Sequence, residues 1–312
     1  MFSPIALKTA SDLVHTWLPA TPQINWPLLS QRAGAEVWVK HENHLPTGAF
    51  KVRGGIVFAS RQPAGLGLIS ATRGNHGQSL AWAGSRFGLP VTIVVPLGNS
   101  TEKNAAMRAL GATLIEHGAD FEEAREEAQR RTESEGLVFV PSFAPDLVLG
   151  VATYALELFQ AVADLDAVYV PIGLGSGICG TILARDLLGL TTKVIGVQST
   201  GADCYAQSFA AGHLVPGNRA DTKADGIAVR QPDPEALRII LKGADRIVTV
   251  PDSDIAAAIR AYWTDTHNLV EGAGAAPLAA LLHEAPIMAG KRVALIASGG
   301  NIDLSLFRSW VG

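Results

Sequence analysis

The feature that most restricts the fold is a regular alternation of short apolar segments with helical segments, which begins near residue 67. Ala167-Val168-Tyr169-Val170-Pro171-Ile172 is nearly all apolar, which is typical of a strand buried on both faces. Strands that alternate with helices indicate βαβ units, in which the strands are parallel and helices cover both faces of the sheet. We therefore predict an α/β fold.

The apolar segments are too numerous for one compact sheet, and no low-complexity linker divides the chain. They lie at residues 37–39, 67–71, 91–96, 113–115, 138–140, 167–172, 194–197, 247–250 and 293–297. We therefore predict two lobes of twisted, mainly parallel sheet flanked by helices. Residues 61–143 would form a small inserted domain, and residues 1–60 together with 144–312 would form a large domain.

Composition argues against several classes of protein. Of the 312 residues, 48% are apolar and 17% are charged, so a substantial core can form. The net charge of −4 gives no reason to expect a nucleic acid or an anionic membrane as partner. The N-terminus lacks the pattern of a signal peptide, and no stretch approaches the roughly 20 apolar residues of a membrane span. With only Cys179 and Cys204 as cysteines, we expect a reduced, cytoplasmic protein.

One lysine stands in an unusual setting. Lys51 lies between Phe50 and Val52, just after a turn marked by Pro46 and Gly48. Burial beside an aromatic and an aliphatic side chain disfavours the ammonium form and supplies the neutral amine that Schiff-base chemistry needs. Most lysines flanked in this way extend their amine to solvent, so the motifs downstream decide between the two interpretations.

A glycine-rich turn directly follows the apolar segment at 167–172 and opens a helix. It consists of Gly173, Leu174, Gly175, Ser176 and Gly177. Backbone N–H groups in such a turn, with a helix N-terminus behind them, form a pocket for an anion such as phosphate. The alternatives are an ordinary tight turn and a dinucleotide site, although Ile178 stands where the dinucleotide motif has its third glycine.

Two further segments offer polar groups. The loop Thr72, Arg73, Gly74, Asn75 and His76 combines a hydroxyl, a guanidinium, an amide and backbone N–H groups, which suits a carboxylate ligand. It could instead only cap the next helix. Ser298 ends the last apolar segment, where ligands bind in open parallel sheets, and its hydroxyl could meet a ring nitrogen or serve as a turn or cap residue. His41 and His44 lack further ligands, so we interpret them as structural.

Four motifs, in order and spacing, together resemble one family. They are Thr47-Gly48-Ala49-Phe50-Lys51-Val52-Arg53-Gly54, Arg73-Gly74-Asn75-His76-Gly77-Gln78, the loop Gly173 to Gly177, and Ser298-Gly299-Gly300-Asn301. The chain resembles the pyridoxal-phosphate enzymes of the tryptophan-synthase-β fold type (fold type II), in particular the serine/threonine dehydratase and serine racemase branch. The resemblance covers nearly the whole chain and implies that fold.

The resemblance also implies a role for each motif. Lys51 would bind pyridoxal 5′-phosphate as a Schiff base, Phe50 would pack against its ring, Asn75 would bond its 3′-oxygen and Ser298 would meet its ring nitrogen. The phosphate would lie on Gly173, Leu174, Gly175, Ser176 and Gly177. The substrate carboxylate would lie on Thr72, Arg73, Gly74, Asn75 and His76.

The reaction expected from these residues is an elimination. The freed Lys51 would take the α-proton while the cofactor delocalises the negative charge. A serine at the ring nitrogen cannot keep that nitrogen protonated as a carboxylate would, which favours rapid loss of a β-leaving group. We therefore predict a threonine/serine-type dehydratase, a lyase that yields a 2-oxo acid and ammonia. A 3-hydroxyaspartate or aryl-serine substrate, racemase or β-replacement activity, a silent regulatory subunit and a nucleotide-binding module are the alternatives.

Two departures from the family pattern restrict these expectations. Arg73 stands where racemases place a serine as acid, which argues against racemisation. It could face an acidic or bulky β-substituent, or form an outward salt bridge. Gln198 and Cys204 stand where the family holds a divalent cation with carboxylates, and Asp203 alone would not bind one, so we expect no metal. We also expect a homodimer.

Overall fold

The structure is a computed structural model of the whole chain, residues 1–312. Its strands are β1 (Gln23–Asn25), β2 (Glu36–His41), β3 (Leu68–Ala71), β4 (Val91–Val95), β5 (Thr113–Glu116), β6 (Val138–Phe139), β7 (Ala167–Pro171), β8 (Lys193–Ser199), β9 (Arg246–Val250) and β10 (Arg292–Ala297). Its helices are α1 (Pro4–Trp17), α2 (Pro27–Ala33), α3 (Lys51–Ser60), α4 (Asn75–Phe87), α5 (Thr101–Ala109), α6 (Phe121–Glu135), α7 (Pro145–Ala161), α8 (Ser176–Leu187), α9 (Cys204–Ala211), α10 (Pro234–Gly243), α11 (Asp252–Thr266), α12 (Gly272–His283), α13 (Ala285–Met288) and α14 (Leu304–Val311).

The larger sheet has the strand order β1-β2-β10-β7-β8-β9, and only the edge strand β1 is antiparallel. Its central strand β7 is buried on both faces. Val168 and Val170 belong to the core cluster that contains α7 and α8 residues. Tyr169, which points to the other face, belongs to the cluster that contains α12 residues. The continuous apolar run in this strand therefore has the cause expected for a parallel sheet between helical layers.

The smaller sheet has the order β5-β4-β3-β6 and is entirely parallel. All its strands come from residues 68–139, and α4, α5 and α6 connect them. Two mainly parallel sheets with flanking helices confirm the predicted α/β fold. The domain boundaries at 61–143, and at 1–60 with 144–312, stay a prediction.

Helix α3, which begins with Lys51, packs backbone to backbone against α7. A Cβ atom built on Gly54 would lie 2.7 Å from the carbonyl oxygen of Leu147. One built on Gly150 would collide with the carbonyl group of Arg53. Glycine is therefore needed on both helices, and the close approach fixes the position of the helix that carries Lys51.

A buried ion network also links α3 to α7 and to the end of β2. The side chains of Arg53, Glu42 and Lys40 are fully buried, and Glu157 of α7 is nearly so. Arg53 Nε lies 2.7 Å from Glu42 Oε2, and Arg53 Nη1 lies 2.6 Å from Glu157 Oε1. Lys40 Nζ lies 2.5 Å from Glu157 Oε2, so two cations balance two carboxylates. Burial raises the pKa of Glu157, but Arg53 and Lys40 outweigh it and lower that pKa to about 2.

Several helices were not predicted from the sequence. Three of them, α1, α2 and α10, begin with proline, whose fixed φ suits the first helical position. Ser3 and Asp233 cap two of these helices by accepting hydrogen bonds from backbone N–H groups. These local signals were present in the sequence. No helix of the structure combines the length and the apolar character needed to cross a bilayer.

Candidate active site

The four sequence motifs meet at one edge of the larger sheet. Strands β7 and β10 are neighbours, so the glycine turn after β7 and Ser298 after β10 lie at the same carboxyl edge. The N–H of Phe50 donates to the carbonyl oxygen of Ser298 at 3.0 Å, and Ala49 pairs with Gly299 as an isolated bridge. The end of the last strand therefore positions the start of α3.

Lys51 is partly buried, and its amine reaches the glycine turn. Its Nζ donates to Ser176 Oγ at 3.2 Å and lies 5.4 Å from the centre of the Phe50 ring. The carbonyl group of Lys51 accepts a hydrogen bond from Ser79 Oγ at 2.7 Å. Burial lowers the pKa of Lys51 to about 8, so roughly a tenth of the amine is neutral at pH 7.

The glycine turn presents free N–H groups at the start of α8. Gly175 has φ +101°, and a Cβ atom there would lie 2.8 Å from the Cβ of Ala236. No side chain caps this helix, and the N–H groups of Ser176, Gly177 and Ile178 have no partner within the chain. A Cβ atom on the turn's first residue, Gly173, would collide with the carbonyl oxygen of Gly226.

Two carbonyl groups of the turn accept hydrogen bonds from tyrosine side chains outside it. Tyr205 Oη donates to the carbonyl oxygen of Leu174, and Tyr154 Oη donates to that of Gly177, both at 2.9 Å. The Phe50 ring packs edge-to-face on Tyr154, with the ring centroids 6.0 Å apart. The turn is thus a preformed anion pocket next to the Lys51 amine.

The loop before α4 is a second helix N-terminus with free donors. Gly74 N–H donates to Thr72 Oγ1 at 3.2 Å, whereas the N–H groups of Asn75, His76 and Gly77 have no partner within the chain. His76 is buried, and its Nε2 is also unpartnered. Burial and the nearby Lys51 lower the pKa of His76 to about 3, so the imidazole is neutral. This terminus suits a carboxylate.

Two residues that sequence analysis left unassigned join the loop to the larger lobe. Asn75 Nδ2 donates to Glu271 Oε1 at 2.8 Å, and Asn301 Nδ2 donates to Asn75 Oδ1 at the same distance. Glu271 is buried and its Oε2 has no partner. Burial raises the pKa of Glu271 to about 7, although Lys103 opposes the shift. A carboxylate between the apolar pair Leu269-Val270 and a small-residue helix was the only signal for it in the sequence.

A cleft of about 360 Å³ opens beside this network, between the two lobes. Arg73, Lys103, Asp225, Glu271 and Asn301 are among its lining residues. Burial lowers the pKa of Lys103, but its ion-pair partner Asp225 and nearby Glu271 outweigh it, and the pKa is raised overall. Arg73 is exposed, and its guanidinium forms no hydrogen bond and no salt bridge within the chain. The outward salt bridge considered for Arg73 is therefore absent from the structure.

The residues present fit pyridoxal phosphate. The N–H groups of the glycine turn suit its phosphate, and the Lys51 amine beside them suits its aldehyde. Ser298 is 3% exposed and its hydroxyl forms no hydrogen bond within the chain, so it is free to meet a ring nitrogen. The unpartnered Glu271 Oε2 and His76 Nε2 are further buried polar atoms in need of a ligand.

Gln198 and Cys204, which stand where the resembled family binds a cation, form hydrogen bonds within the chain. Gln198 Oε1 accepts from the N–H groups of Tyr205 and Ala206 at 2.9 and 3.0 Å. Cys204 Sγ donates to the carbonyl oxygen of Val229 at 3.2 Å, and burial raises the pKa of this thiol to about 11. An amide and a protonated thiol do not fit Mg²⁺ or Ca²⁺. The absence of an activating metal stays a prediction.

Comparison with known proteins agrees with this geometry. A family model described as pyridoxal-phosphate dependent enzyme matches residues 16–299. An L-threonine ammonia-lyase of Thermotoga maritima is 36% identical over 305 residues, which are 96% of this chain and 75% of that protein. An L-threo-3-hydroxyaspartate ammonia-lyase of Saccharomyces cerevisiae is 31% identical, over 97% of this chain and 94% of that protein. The processed threonine deaminase isoform 2 of Solanum lycopersicum superimposes with a TM-score of 0.92 and 30% identity, over 99% of this chain and 93% of that one.

Proposed function

Because this chain belongs to the family of pyridoxal-phosphate-dependent enzymes, we propose that it is a lyase acting on a β-hydroxy-α-amino acid of the threonine or serine type. The substrate loses its α-proton and its β-hydroxyl as water. The resulting enamine takes up water again, so the net products are one 2-oxo acid and one ammonia. The observation that carries the proposal is the Lys51 amine, 3.2 Å from Ser176 at the mouth of the anion pocket.

The residues of the candidate site have separate roles in this reaction. When bound, pyridoxal phosphate supplies the electron sink for the charge left by the departing α-proton. Lys51 Nζ takes that proton, and its lowered pKa keeps part of the amine neutral near pH 7. Ser176 Oγ accepts a hydrogen bond from Nζ and orients it. The free N–H groups of Asn75, His76 and Gly77 bind the α-carboxylate and fix the α-carbon near the amine.

The remaining assignments belong to the same proposal. Phe50 would pack on the cofactor ring, Asn75 would bond its 3′-oxygen, and Ser298 would form a hydrogen bond with its ring nitrogen. Gly173, Leu174, Gly175, Ser176 and Gly177 bind the phosphate through backbone N–H groups, with the Ser176 hydroxyl in support. Thr72 supports the carboxylate loop by accepting from Gly74 N–H.

Racemisation has less support, because it requires an acid on the face of the substrate opposite Lys51. Arg73 stands at the position expected for that acid, and a guanidinium does not give up its proton in the range where enzymes work. Elimination needs no such second acid at the α-carbon. We therefore favour lyase activity over racemase activity.

We also propose that the protein is a cytoplasmic homodimer. Its two cysteines are buried and unpaired, as expected in a reducing compartment. Gel filtration coupled to light scattering would test the assembly, and a mass equal to that of a single chain would contradict it.

Visible absorbance and product assays test the function. Purified protein supplied with pyridoxal phosphate should gain the visible absorbance of a lysine Schiff base and release ammonia and a 2-oxo acid from a β-hydroxy-α-amino acid. Lys51→Ala should abolish both signals. Lys242→Ala, which removes an exposed lysine, is the matched control and should keep both. Wild-type protein that stays colourless after reconstitution would overturn the proposal.

A further inference from the structure

We propose that Arg73 binds a second carboxylate, carried by the β-carbon of the substrate. The preferred substrate would then be a β-hydroxy-α-amino dicarboxylic acid such as 3-hydroxyaspartate. Its elimination gives a four-carbon 2-oxo dicarboxylic acid and one ammonia. This inference rests on the proposed function and names the substrate class of the same site.

The backbone places Arg73 next to the proposed carboxylate site. Arg73 lies two residues before Asn75, the first of the free N–H groups at the start of α4, which suit the α-carboxylate. Asn99 Nδ2 donates to the carbonyl oxygen of Arg73 at 3.1 Å, and Asn99 Nδ2 also lies 2.7 Å from Asn104 Oδ1. The main chain of this residue is thus fixed from α5, while its side chain lines the interlobe cleft. Only the guanidinium remains free to reach a ligand.

The carboxylates of the cleft gather around one cation. Lys103 pairs with Asp225, and Glu271 and Asp303 lie near the same ammonium group. Arg73 and Lys223 also line the cleft, and neither side chain forms a salt bridge within the chain. Arg73 and Lys223 are therefore the cations of the cleft that have no salt-bridge partner. Close to Arg73, an anionic β-substituent is attracted, whereas a cationic one is repelled.

The cleft also argues against the aryl-serine alternative. An aromatic β-substituent requires a concave wall of apolar side chains. Here the apolar contribution comes mainly from Leu97, Ile302 and Leu306 beside charged and amide groups, and Leu97 is 62% exposed. A guanidinium, by contrast, matches a carboxylate with two parallel hydrogen bonds. The lining favours a carboxylate over a ring.

Substrate selectivity gives the first test. We would measure kcat/KM for the threo and erythro forms of L-3-hydroxyaspartate, L-threonine, L-serine, phenylserine and 2,3-diaminopropionate. The wild type should prefer a 3-hydroxyaspartate. Arg73→Gln should lower the ratio of kcat/KM for 3-hydroxyaspartate over serine by roughly 10- to 100-fold, the loss of a charge-assisted pair. Arg73→Lys keeps the charge but loses the paired N–H donors of the guanidinium. Its ratio should therefore lie between those of the wild type and Arg73→Gln.

Inhibition by unreactive analogues gives the second test. Malate and lactate share a hydroxy-acid end, and malate alone has the second carboxylate. Malate should inhibit the wild type more strongly than lactate, and Arg73→Gln should remove most of that difference. Arg238→Gln, which removes an exposed arginine paired with Glu235, is the control. It should leave the substrate selectivity and the preference for malate over lactate as in the wild type.

The outcomes separate this inference from the proposed function. A wild type that favours threonine, serine or phenylserine overturns the inference but leaves the proposed function intact, whereas a preference for 2,3-diaminopropionate overturns both. A selectivity ratio that Arg73→Gln leaves unchanged overturns the inference alone. If no β-hydroxy-α-amino acid yields ammonia, the proposed function fails and the inference falls with it.

Discussion

The N–H of Phe50 donates to the carbonyl oxygen of Ser298 at 3.0 Å, and this bond joins the residue before Lys51 to the end of the last strand. The two residues proposed to contact the cofactor ring are thus joined by one backbone hydrogen bond. The geometry of the site depends on how the sheet ends as well as on the side chains that face the ligand.

The pKa of Lys51 predicts how fast the cofactor is captured. Burial lowers this pKa to about 8, and only the neutral amine attacks an aldehyde. In protein freed of cofactor, the rate of Schiff-base formation should rise about tenfold per pH unit below pH 7 and level off above the pKa. Stopped-flow absorbance measures this rate. A rate that keeps rising past pH 10 would place the pKa at its ordinary value.

Glu271 predicts a pH-dependent stability. Its pKa is raised to about 7 by burial, so the folded protein binds a proton that the unfolded chain has already released near neutral pH. The contribution of Glu271 to stability should therefore be greatest below the pKa that this residue has in the unfolded chain, and it should be lost as the pH rises through about 7. Glu271→Gln, which keeps an acceptor for Asn75, should show a smaller fall in Tm between pH 5 and pH 8. An equal fall in both proteins would contradict this role.

Gly175 should tolerate no side chain. Its φ of +101° and the 2.8 Å approach of a built Cβ to Ala236 both oppose alanine. Gly212 has φ +72° and open space around it, so Gly212→Ala isolates the backbone cost. We expect urea unfolding to lose about 1–2 kcal/mol for Gly212→Ala and about 2–4 kcal/mol for Gly175→Ala. Only the second should weaken cofactor binding, and equal losses would show that the contact with Ala236 relaxes.

Arg53 should be important for stability although it lies outside the pocket. Arg53→Met leaves Glu42 and Glu157 buried with only Lys40 to balance them, which should cost about 3–5 kcal/mol of unfolding free energy. Arg130→Met removes an exposed arginine from its pair with Glu127 and should leave Tm nearly unchanged. Denaturant titration compares the two. A small loss for Arg53→Met would mean that the carboxylates become protonated or rehydrated.

Much of the fold could be predicted, because the length of the apolar segments and their alternation with helical segments mark the strands of a parallel sheet. The strands from β3 onward lie within a few residues of their predicted positions. Helix α3 was not predicted, since Gly54 and Gly55 disfavour a helix locally. Contact with α7 and α4 offsets that cost, and such a contact between distant segments leaves no local pattern.

Some residues of the candidate site could likewise be predicted from local sequence, and others could not. The lysine, the two helix N-termini and Ser298 each belong to a short motif whose chemistry can be interpreted from adjacent residues. Glu271 and Asn301 became visible only through their hydrogen bonds to Asn75, which join segments far apart in the chain. Arg73 could not be assigned from the sequence, because its salt-bridge partners, or their absence, depend on tertiary structure.

The paired glycines of α3 and α7 separate what the scaffold requires from what the proposed chemistry requires. The constraint on Gly54 and Gly150 comes from two backbones that approach too closely for any side chain. A variant that lost Lys51, and with it the proposed chemistry, would still need both glycines to fold. The same scaffold could therefore persist in a chain that no longer acts as an enzyme.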